Sequence, residues 1–460
     1  MDHRLRAHRA LIIALVPAVA LRAAAVFGYS PALYFWADSF AFLREDLAPG
    51  TTRPSGYSFL LALLRPAHSL TLVTVVQHLL VLALATGLYA LLRKRGLPGW
   101  GATLLVTPLL FDEFMLLLEH MIMADALFTV LVTAAIALLV WRVTPVTCAV
   151  AGLLLGCSGV TRTIGLPLLG LAAGYLMFRR YGWRPLLALA LAGILPLGAY
   201  ATWAKAENGS FALTRADGTF LWSRTMSFAD CRVINPEPRL AVLCPGMPVE
   251  QRPYAPHWLW EEFSPLTKVR GVDRRNGLAG EFARRAILSQ PGGYLASVAV
   301  DLRKLLAWER TGSTEKSPYK LPATGKDLPA SVRGTAESYE AGPAATRVAE
   351  PYAGVLRAYQ RVGYLPFPLL VLGLVATLVA ALVRRCEEAL LPGLAALALL
   401  VAPPFLAAYD VRYVIPAIPL ACLAAGLVLA GTRLGHGNPR PQEAHRGARH
   451  RRRHAQAGNS

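Results

Sequence analysis

The chain has 460 residues, of which 55% are hydrophobic and only 16% are charged, and its mean hydropathy is positive. Soluble domains rarely combine such values, so the composition excludes an ordinary soluble domain and indicates a polytopic membrane protein. The formal net charge of +19 lies mainly in clusters that flank apolar blocks, which favours contact with anionic membrane lipid and argues against a nucleic-acid partner.

Ten apolar blocks reach, or nearly reach, the length of about 20 helical residues that a bilayer requires. No convincing cleavage site follows the first block and more blocks come after it, so we interpret it as a retained helix and not as a signal peptide. Because 145–160 is short and 55–65 would suit a further half-helix, the blocks allow nine to eleven spans. The predicted spans are 10–28, 70–92, 98–117, 121–141, 145–160, 164–180, 184–203, 362–383, 388–407 and 411–431.

Basic residues are concentrated in alternate connections between these spans. The positive-inside rule places such connections in the cytoplasm, so we predict cytoplasmic termini and outward-facing positions for Asp38, Asp112, Arg162, Arg412 and the segment 205–361. The basic connections are RLRAHR (4–9), RKR (93–95), Arg142, RRYGWR (179–184), RR (384–385) and RHRRRH (449–454).

The sequence therefore predicts an all-α membrane protein of about ten helices, with one α or mixed extracytoplasmic domain before the last three spans. Cys231 and Cys244 are the only cysteines on the predicted outer side, so we expect them to form a disulfide. An amphipathic helix at 289–308 would lie on the outer leaflet or pack against the domain core. The predicted regions are a membrane module (1–204, about seven spans, first outer loop 29–54), an extracytoplasmic domain (205–361), C-terminal spans (362–431) and a basic disordered tail (432–460).

The first outer loop contains Asp38 among aromatic residues, in the stretch ALYFWADSFAF. A lone loop aspartate is most often solvated or caps a short helix. Flanking aromatics, however, suit the lipid headgroup region, where a partly desolvated carboxylate becomes more basic. Such a base can remove a proton from an acceptor hydroxyl beside a lipid-borne leaving group. Arg53 and Tyr57, in RPSGY, are the candidates for supporting this loop where it returns to the membrane.

A second polar stretch, FDEFMLLLEHMIMAD, lies between two predicted spans. Ionisable groups at membrane depth are costly unless they are paired or hydrated, which makes them candidates for function. They could form an acceptor site or bind a divalent cation, although their spacing matches no metal motif and helix-end polarity explains most of them equally well. The candidates are Asp112, Glu113, Glu119, His120 and Asp125.

Three cations on the predicted outer side are candidates for binding a phosphate. Arg162 stands alone between two apolar helices, and Arg412 holds a similar place at the last span, where a salt bridge to Asp410 is the alternative explanation. Lys205 ends the seventh span. Cations and carboxylates on one face suit an anionic lipid donor and a hydroxyl acceptor.

Motifs of several other enzyme classes are absent from the sequence: GxxxxGK[ST], GxSxG, HExxH and paired CxxC. Their absence argues against an ATPase, a serine hydrolase, a zincin and a redox enzyme. A transporter or lipid-sugar flippase remains the alternative, although the ionisable residues gather at the outer ends of the spans and we find no inverted repeat. A non-catalytic scaffold of cell-envelope assembly and a prenyl-phosphate-sugar polymerase or ligase are further rivals.

The order of several motifs resembles the GT-C membrane glycosyltransferases, in the branch of the protein O-mannosyltransferases and the lipid A aminoarabinose transferase. The resemblance covers about 7–203 and 285–431. It lies in the first-loop Asp followed by RPSGYSFLLALL, EHMIMADALFTVLVTAAIALL, GLLLGCSGVTRTIGLPLL, LPLGAYATWAKAENGSFALT, PGGYLASVAVDLRKLLAW and DVRYVIPAIPL.

This resemblance implies inverting transfer of a sugar from a polyprenyl-phosphate donor on the outer face of the membrane. It places Asp38 as the general base and Arg162 and Arg412 as ligands of the donor's phosphate. Two positions depart from the relatives: Ser39 follows Asp38 where some relatives have a second acidic residue, and Asp125 follows an alanine where they often have SE or TE. No cofactor is certain, and a divalent cation stays open.

The sequence does not specify the sugar or the acceptor. Mannose, arabinofuranose and aminoarabinose all remain open, as do protein, glycan, glycolipid and peptide hydroxyls. A composition rich in Ala, Leu and Arg suggests a GC-rich bacterial genome, so we expect a bacterial plasma membrane, with the active site on its outer face.

Overall fold

The computed structural model describes residues 3–44, 48–310 and 319–434. Most of the predicted basic tail, from residue 435 onward, lies outside the described residues. Helices make up nearly all of the regular structure, and the one sheet among the described residues has two short strands. The prediction of an all-α chain is therefore confirmed.

The N-terminal half contains ten helices and one strand. Long apolar helices alternate with short ones; the strand and α2 lie in the predicted first outer loop, and α3 follows that loop. The elements are α1 (His3–Gly28), β1 (Tyr29–Ser30), α2 (Trp36–Arg44), α3 (Gly56–Leu64), α4 (Leu70–Lys94), α5 (Gly99–Phe111), α6 (Glu113–His120), α7 (Ala124–Trp141), α8 (Pro145–Thr161), α9 (Gly165–Phe178) and α10 (Trp183–Asn208).

The C-terminal half begins with mostly short helices and ends with apolar ones. Its elements are α11 (Asp217–Thr225), α12 (Cys231–Ile234), α13 (Pro238–Ala241), α14 (His257–Trp260), α15 (Val272–Ser289), α16 (Pro291–Arg303), α17 (Ala330–Glu337), β2 (Arg347–Val348), α18 (Tyr352–Tyr359), α19 (Phe367–Val383), α20 (Leu390–Leu406), α21 (Val411–Val414) and α22 (Ala417–Leu434).

Six helical segments of the described chain are long and apolar enough to cross a membrane, and the bent pair α5 and α6 makes a seventh if it counts as one span. Three further apolar helices, α8, α9 and α19, coincide with predicted spans but are shorter. Multiple spans therefore agree with the sequence, whereas the count of ten stays a prediction. The six segments are Ala7–Gly28, Leu70–Lys94, Ala124–Trp141, Trp183–Asn208, Glu387–Leu406 and Val411–Gly431.

The bend between α5 and α6 has an identifiable cause at Asp112. The residue has extended backbone angles, and its carboxylate accepts hydrogen bonds from the amides of Phe114 and Met115, at 3.1 and 3.3 Å. A side chain that satisfies the free amides of a new helix starts that helix in a new direction. Arg310 binds the same carboxylate at 2.6 and 2.8 Å, so the bend is also tied to the outer segment.

The outer segment is divided between two hydrophobic cores. Residues from α11 to α15 form a separate core around Trp222, Trp258 and Phe282. Residues from Tyr319 onward belong instead to the large core of the membrane module. β2 pairs antiparallel with β1, α17 packs on α2, and α18 packs on α1. The part of 205–361 after residue 318 therefore packs against the first outer loop and α1.

The outer core is linked to the last spans through α16 and its neighbours. The hydroxyl of Tyr294 donates to the carbonyl of Phe405 at 3.0 Å, and that of Tyr254 donates to the carbonyl of Tyr409 at 2.8 Å. Of the residues on the amphipathic helix, Val298 is buried and Leu295 is exposed, so one side of the helix packs against protein, while its position on the outer leaflet stays a prediction. Cys231 and Cys244 are bonded as a disulfide.

Candidate active site at the outer helix ends

Asp38 lies in the first turn of α2, between two arginines from distant parts of the chain. Its carboxylate accepts a hydrogen bond from Arg412 at 2.7 Å and forms an ion pair with Arg53 at 2.9 Å. The side chain remains 21% exposed. Burial alone would raise the pKa of Asp38, but the guanidiniums of Arg412 and Arg53 hold that pKa below its ordinary value. Asp38 is therefore a carboxylate in the resting site.

Arg412 is held by aromatic rings as well as by charge. Its guanidinium lies 4.5 Å from the ring centre of Phe35 and 5.2 Å from that of Tyr413. Ring faces attract a cation most where water is excluded, so these rings fix the guanidinium beside Asp38. Phe35, one of the aromatic residues around Asp38, therefore supports Arg412, which is the partner of the Asp38 carboxylate.

Asp410 orients Arg412 from the opposite side. Its side chain accepts a hydrogen bond from the backbone amide of Arg412 at 3.1 Å, which caps α21, and its carboxylate lies 3.7 Å from the Arg412 Nε. The hydroxyl of Tyr319 donates to the same carboxylate. Burial raises the pKa of Asp410, and the positive charge of Arg412 opposes that rise. At 3.7 Å, the salt bridge between Arg412 and Asp410 is longer than the 2.7 Å salt bridge between Arg412 and Asp38.

A second ion pair lies beside the first. Arg162 ends α8 and pairs with Asp125 in the first turn of α7. The ring centre of Tyr413 lies 4.9 Å from the Arg162 guanidinium, so this one ring contacts both Arg162 and Arg412. The charge of Arg162 also lowers the pKa of Asp38. We call the six charged residues of this region the outer charge cluster: Asp38, Arg53, Asp125, Arg162, Asp410 and Arg412.

The two loop-support candidates, Arg53 and Tyr57, both contact the ring of Phe42. Phe42 packs edge-on against Tyr57 at 5.1 Å between ring centres, and the Arg53 guanidinium lies 5.3 Å from the centre of the same ring. The buried hydroxyl of Tyr57 donates to Gln77 on α4 at 2.9 Å. Tyr57 therefore fixes α3 against α4, while Arg53 reaches the carboxylate of Asp38.

Lys205 forms no ion pair with the outer charge cluster in the described part of the chain. It is exposed in the last turn of α10, and its side chain forms no ion pair with any residue of the described part of the chain. The sequence grouped Lys205 with Arg162 and Arg412 because all three lie at helix ends that are predicted to face outward; in the structure, the two arginines share the ring of Tyr413.

The five residues proposed as an acceptor or metal site are divided among separate networks. Asp125 belongs to the outer charge cluster, Asp112 pairs with Arg310, and Gln360 donates to Glu113 at 3.1 Å. Glu119 and His120 lie in a buried network with residues of α1 and α4. Across the described ranges, no three His, Cys, Asp or Glu side chains meet as a candidate metal site, so we assign none of the five as a metal ligand.

Several residues of these networks were not singled out in the sequence. Tyr319 follows a stretch without helical or strand periodicity, and no sequence signal marks its contact with Asp410. Arg22 and His78, by contrast, are ionisable residues inside apolar blocks. Such residues generally require a buried partner, so this signal could have identified them.

The outer charge cluster has a chemistry suited to an anion. Three carboxylates and three guanidiniums balance in charge when all are ionised, and Arg162 and Arg412 each contact a protein carboxylate that a ligand anion could replace. Guanidiniums bind phosphate oxygens bidentately. The partly exposed Asp38 would then lose positive neighbours and gain basicity.

No protein-family model matches the chain, and no curated protein matches it. Two solved structures of ArnT from Cupriavidus metallidurans are similar, one bound to undecaprenyl phosphate and one in the apo state. Each is 14% identical and covers 92% of this chain and 77% of its own, with TM-scores of 0.36 and 0.35. At this level the similarity supports no functional conclusion.

Proposed function

We propose that the chain is a membrane glycosyltransferase that moves a sugar from a polyprenyl-phosphate donor to a hydroxyl acceptor on the outer face of a bacterial plasma membrane. The observation that carries this proposal is the position of Asp38, held between Arg53 and Arg412, near helix ends that the sequence predicts to face outward. The order of sequence motifs that resembles the GT-C glycosyltransferases supports the same class.

Arg412 and Arg162 are the proposed ligands of the donor's phosphate. Both are only 13 to 18% exposed and both contact the ring of Tyr413, so a single phosphate between them would be bound by oriented donors. Charge-assisted hydrogen bonds in such a partly desolvated place are stronger than in water. Lys205 remains a third candidate for the same anion, from its exposed position.

Asp38 is the proposed general base. When the arginines turn to the donor's phosphate, the carboxylate loses charges that lower its pKa, while its partial burial continues to raise it. Asp38 then takes the proton of the acceptor hydroxyl as that oxygen bonds to the anomeric carbon. The bond from this carbon to the phosphate oxygen breaks on the opposite side, which inverts the configuration.

The leaving group is a polyprenyl phosphate. It departs with the electron pair of the broken bond, and its added negative charge is stabilised by the guanidiniums already in contact with it. Because the lipid tail keeps this product in the membrane, a site at the outer helix ends suits both the donor and an acceptor in the outer compartment. The sugar and the acceptor remain open.

A transporter or lipid-sugar flippase is the second candidate, and one observation favours it. Arg22 and Glu119 form an ion pair with side-chain exposures of 4% and 0%, and charged residues at membrane depth often line transport pathways. If substrate uptake depended on Glu119 while Asp38 were dispensable, this candidate would replace the transferase.

The test uses membranes that contain the wild-type protein, Asp38→Asn or the control Asp327→Asn, which changes an exposed aspartate of the outer segment. Each is given a panel of radiolabelled polyprenyl-phosphate sugars, and the products are fractionated. We expect one donor to label an acceptor with the wild type and the control, and transfer about 100- to 10,000-fold slower with Asp38→Asn. Equal transfer by all three proteins would exclude Asp38 as the base. If none of the three transferred sugar from any donor, the proposed glycosyltransferase function would be contradicted.

A further inference from the structure

A chain of hydrogen bonds runs through buried side chains between α4, α6 and the end of α1. Glu119 Oε2 lies 2.8 Å from His78 Nδ1, His78 Nε2 lies 3.2 Å from His120 Nδ1, and His120 Nε2 lies 2.9 Å from the backbone oxygen of Tyr29. The three residues are at most 3% exposed. We call Glu119, His78 and His120 the buried triad.

The buried triad needs one more proton than its usual ionisation states supply. Each of the three contacts requires one hydrogen between its two atoms. The carbonyl of Tyr29 can only accept, and an ionised Glu119 can only accept, so every hydrogen must come from the two imidazoles. Two neutral imidazoles carry two N–H groups in total, which leaves one of the three contacts without a hydrogen.

One additional proton satisfies all three contacts. It is carried either by an imidazole, which becomes an imidazolium beside an ionised Glu119, or by Glu119 itself, beside two neutral imidazoles. The total number of protons is the same in both arrangements. A buried pair of acceptors facing each other without a hydrogen would be costly, so the geometry favours the state that holds the proton.

Charged and polar groups flank the buried triad on two sides. Arg22 donates to both oxygens of Glu119 at 2.8 Å, and its remaining hydrogens reach backbone carbonyls of α1 and α5. On the other side, Glu113 from α6 and Tyr359 from α18 share with His120 the lining of a cavity of about 20 Å³, which is room for about one water. Arg22 therefore balances the charge of an ionised Glu119, and the cavity places Glu113 and Tyr359 next to His120.

The buried triad lies under the loop that leads to Asp38. His120 contacts the carbonyl of Tyr29 through its ring, and its own carbonyl accepts a hydrogen bond from the amide of Leu33 at 3.1 Å. The carbonyl of Leu33 accepts in turn from the amide of Ile122 at 3.1 Å. The loop is thus attached at both ends to residues 120–122, and α2 with Asp38 begins three residues later.

We propose that Glu119, His78 and His120 share one proton and that this shared proton positions the loop that carries Asp38. Loss of the proton in alkaline solution removes one hydrogen bond from the chain between Glu119 and Tyr29, and so loosens the loop. These three are positioning residues: they act on the proposed reaction through the loop. Only the effect on transfer rests on the proposed function; the proton and the loop do not.

The test compares His120→Gln, His120→Leu and the control His257→Gln, which alters a histidine of the outer segment. Glutamine can donate an amide hydrogen to the carbonyl of Tyr29 without titrating, whereas leucine cannot donate at all. The purified full-length proteins are studied in detergent between about pH 6 and about pH 9. The readouts are Tm and the hydrogen exchange of the peptide that contains Leu33, corrected for the chemical rate.

With the wild type and His257→Gln, we expect Tm to fall by a few degrees as the pH rises, together with faster corrected exchange at Leu33. We expect Tm and the exchange at Leu33 to change less with pH in His120→Gln. In His120→Leu, we expect rapid exchange at Leu33 at both ends of the pH range. A change with pH in His120→Gln equal to that of the wild type would overturn the shared proton. A pH response confined to Tm, with Leu33 unaffected, would overturn its action on the loop.

Transfer assays separate this inference from the proposed function. If the wild type transfers sugar, alkaline pH should lower kcat more than it changes KM, and His120→Gln should lose part of that alkaline fall. If kcat fell equally at alkaline pH in the wild type and in His120→Gln, a positioning role of the buried triad in the reaction would be excluded. If no donor is transferred but the pH-dependent exchange is present, the glycosyltransferase proposal fails and the shared proton stands.

Discussion

Asp38 and Arg412 are 374 residues apart in the sequence, and their side chains meet at 2.7 Å. One comes from the first outer loop and the other from α21, just before the last helix, so the membrane module and the C-terminal spans must both be in place before the pair can form. Such a contact between the ends of a chain is set by the complete fold and not by local structure.

Replacing Arg412 tests its role toward the donor. Arg412→Ala removes a guanidinium that would bind the donor's phosphate and stabilise the leaving group, so we expect kcat/KM to fall on the order of 100-fold or more. Arg412→Lys keeps the charge but loses bidentate geometry and should recover only part of this loss. Steady-state assays with varied donor concentration measure both. Recovery to the wild-type value by lysine would show that charge alone is required.

The pair of Arg162 and Asp125 is suited to a double-mutant cycle. Asp125 has no exposed surface and one of its oxygens has no hydrogen-bond partner among the described residues, so the pair is sensitive to the loss of either member. We expect Arg162→Ala and Asp125→Ala each to reduce transfer, and the double variant to lose less than both effects combined, with a coupling of about 0.5–3 kcal/mol. The same cycle on Arg232 and Asp230, a pair whose arginine is 92% exposed, is the control. Additive effects would mean that the two residues act independently.

The apolar blocks and the residues at their outer ends could be read from the sequence because their signals are local. A run of apolar residues predicts a span, and Arg162 stands out because it interrupts such a pattern. The partner of each charge could not be predicted, since pairing depends on how helices pack. The sequence suggested Asp410 as the partner of Arg412, and the structure shows that Asp38 is nearer.

The contacts of aromatic residues are a second feature that could not be predicted from the sequence. Tyr413 was visible beside Arg412, but its position against Arg162 depends on the packing of α21 near the end of α8. Tyr319 comes from a segment without periodicity and reaches the site only because the chain after residue 318 folds back onto the membrane module. Contacts of this kind require the tertiary structure.

Acid should weaken the ion pairs of Asp38 in a defined direction. Its folded-state pKa lies below its ordinary value, so the stability that these pairs contribute is complete above the unfolded pKa of about 3.9. This contribution is lost as the pH falls through the lower folded value. We therefore expect the difference in Tm between the wild type and Asp38→Asn to be constant above about pH 5 and to shrink in stronger acid. A difference that grew on acidification would contradict the sign of the shift.

The buried pair of Arg310 and Asp112 is expected to govern stability. Both side chains are only 1% exposed, and the guanidinium also donates to the carbonyl of Leu365 at 2.5 Å. Arg310→Ala leaves a buried carboxylate without its cation, which costs about 3–5 kcal/mol of unfolding free energy. Arg232→Ala, at a side chain that is 92% exposed, should change that free energy by less than about 0.5 kcal/mol. Denaturation in mixed micelles measures both, and a similar small loss in the two variants would mean that the pair contributes little to holding the α5–α6 bend against the outer segment.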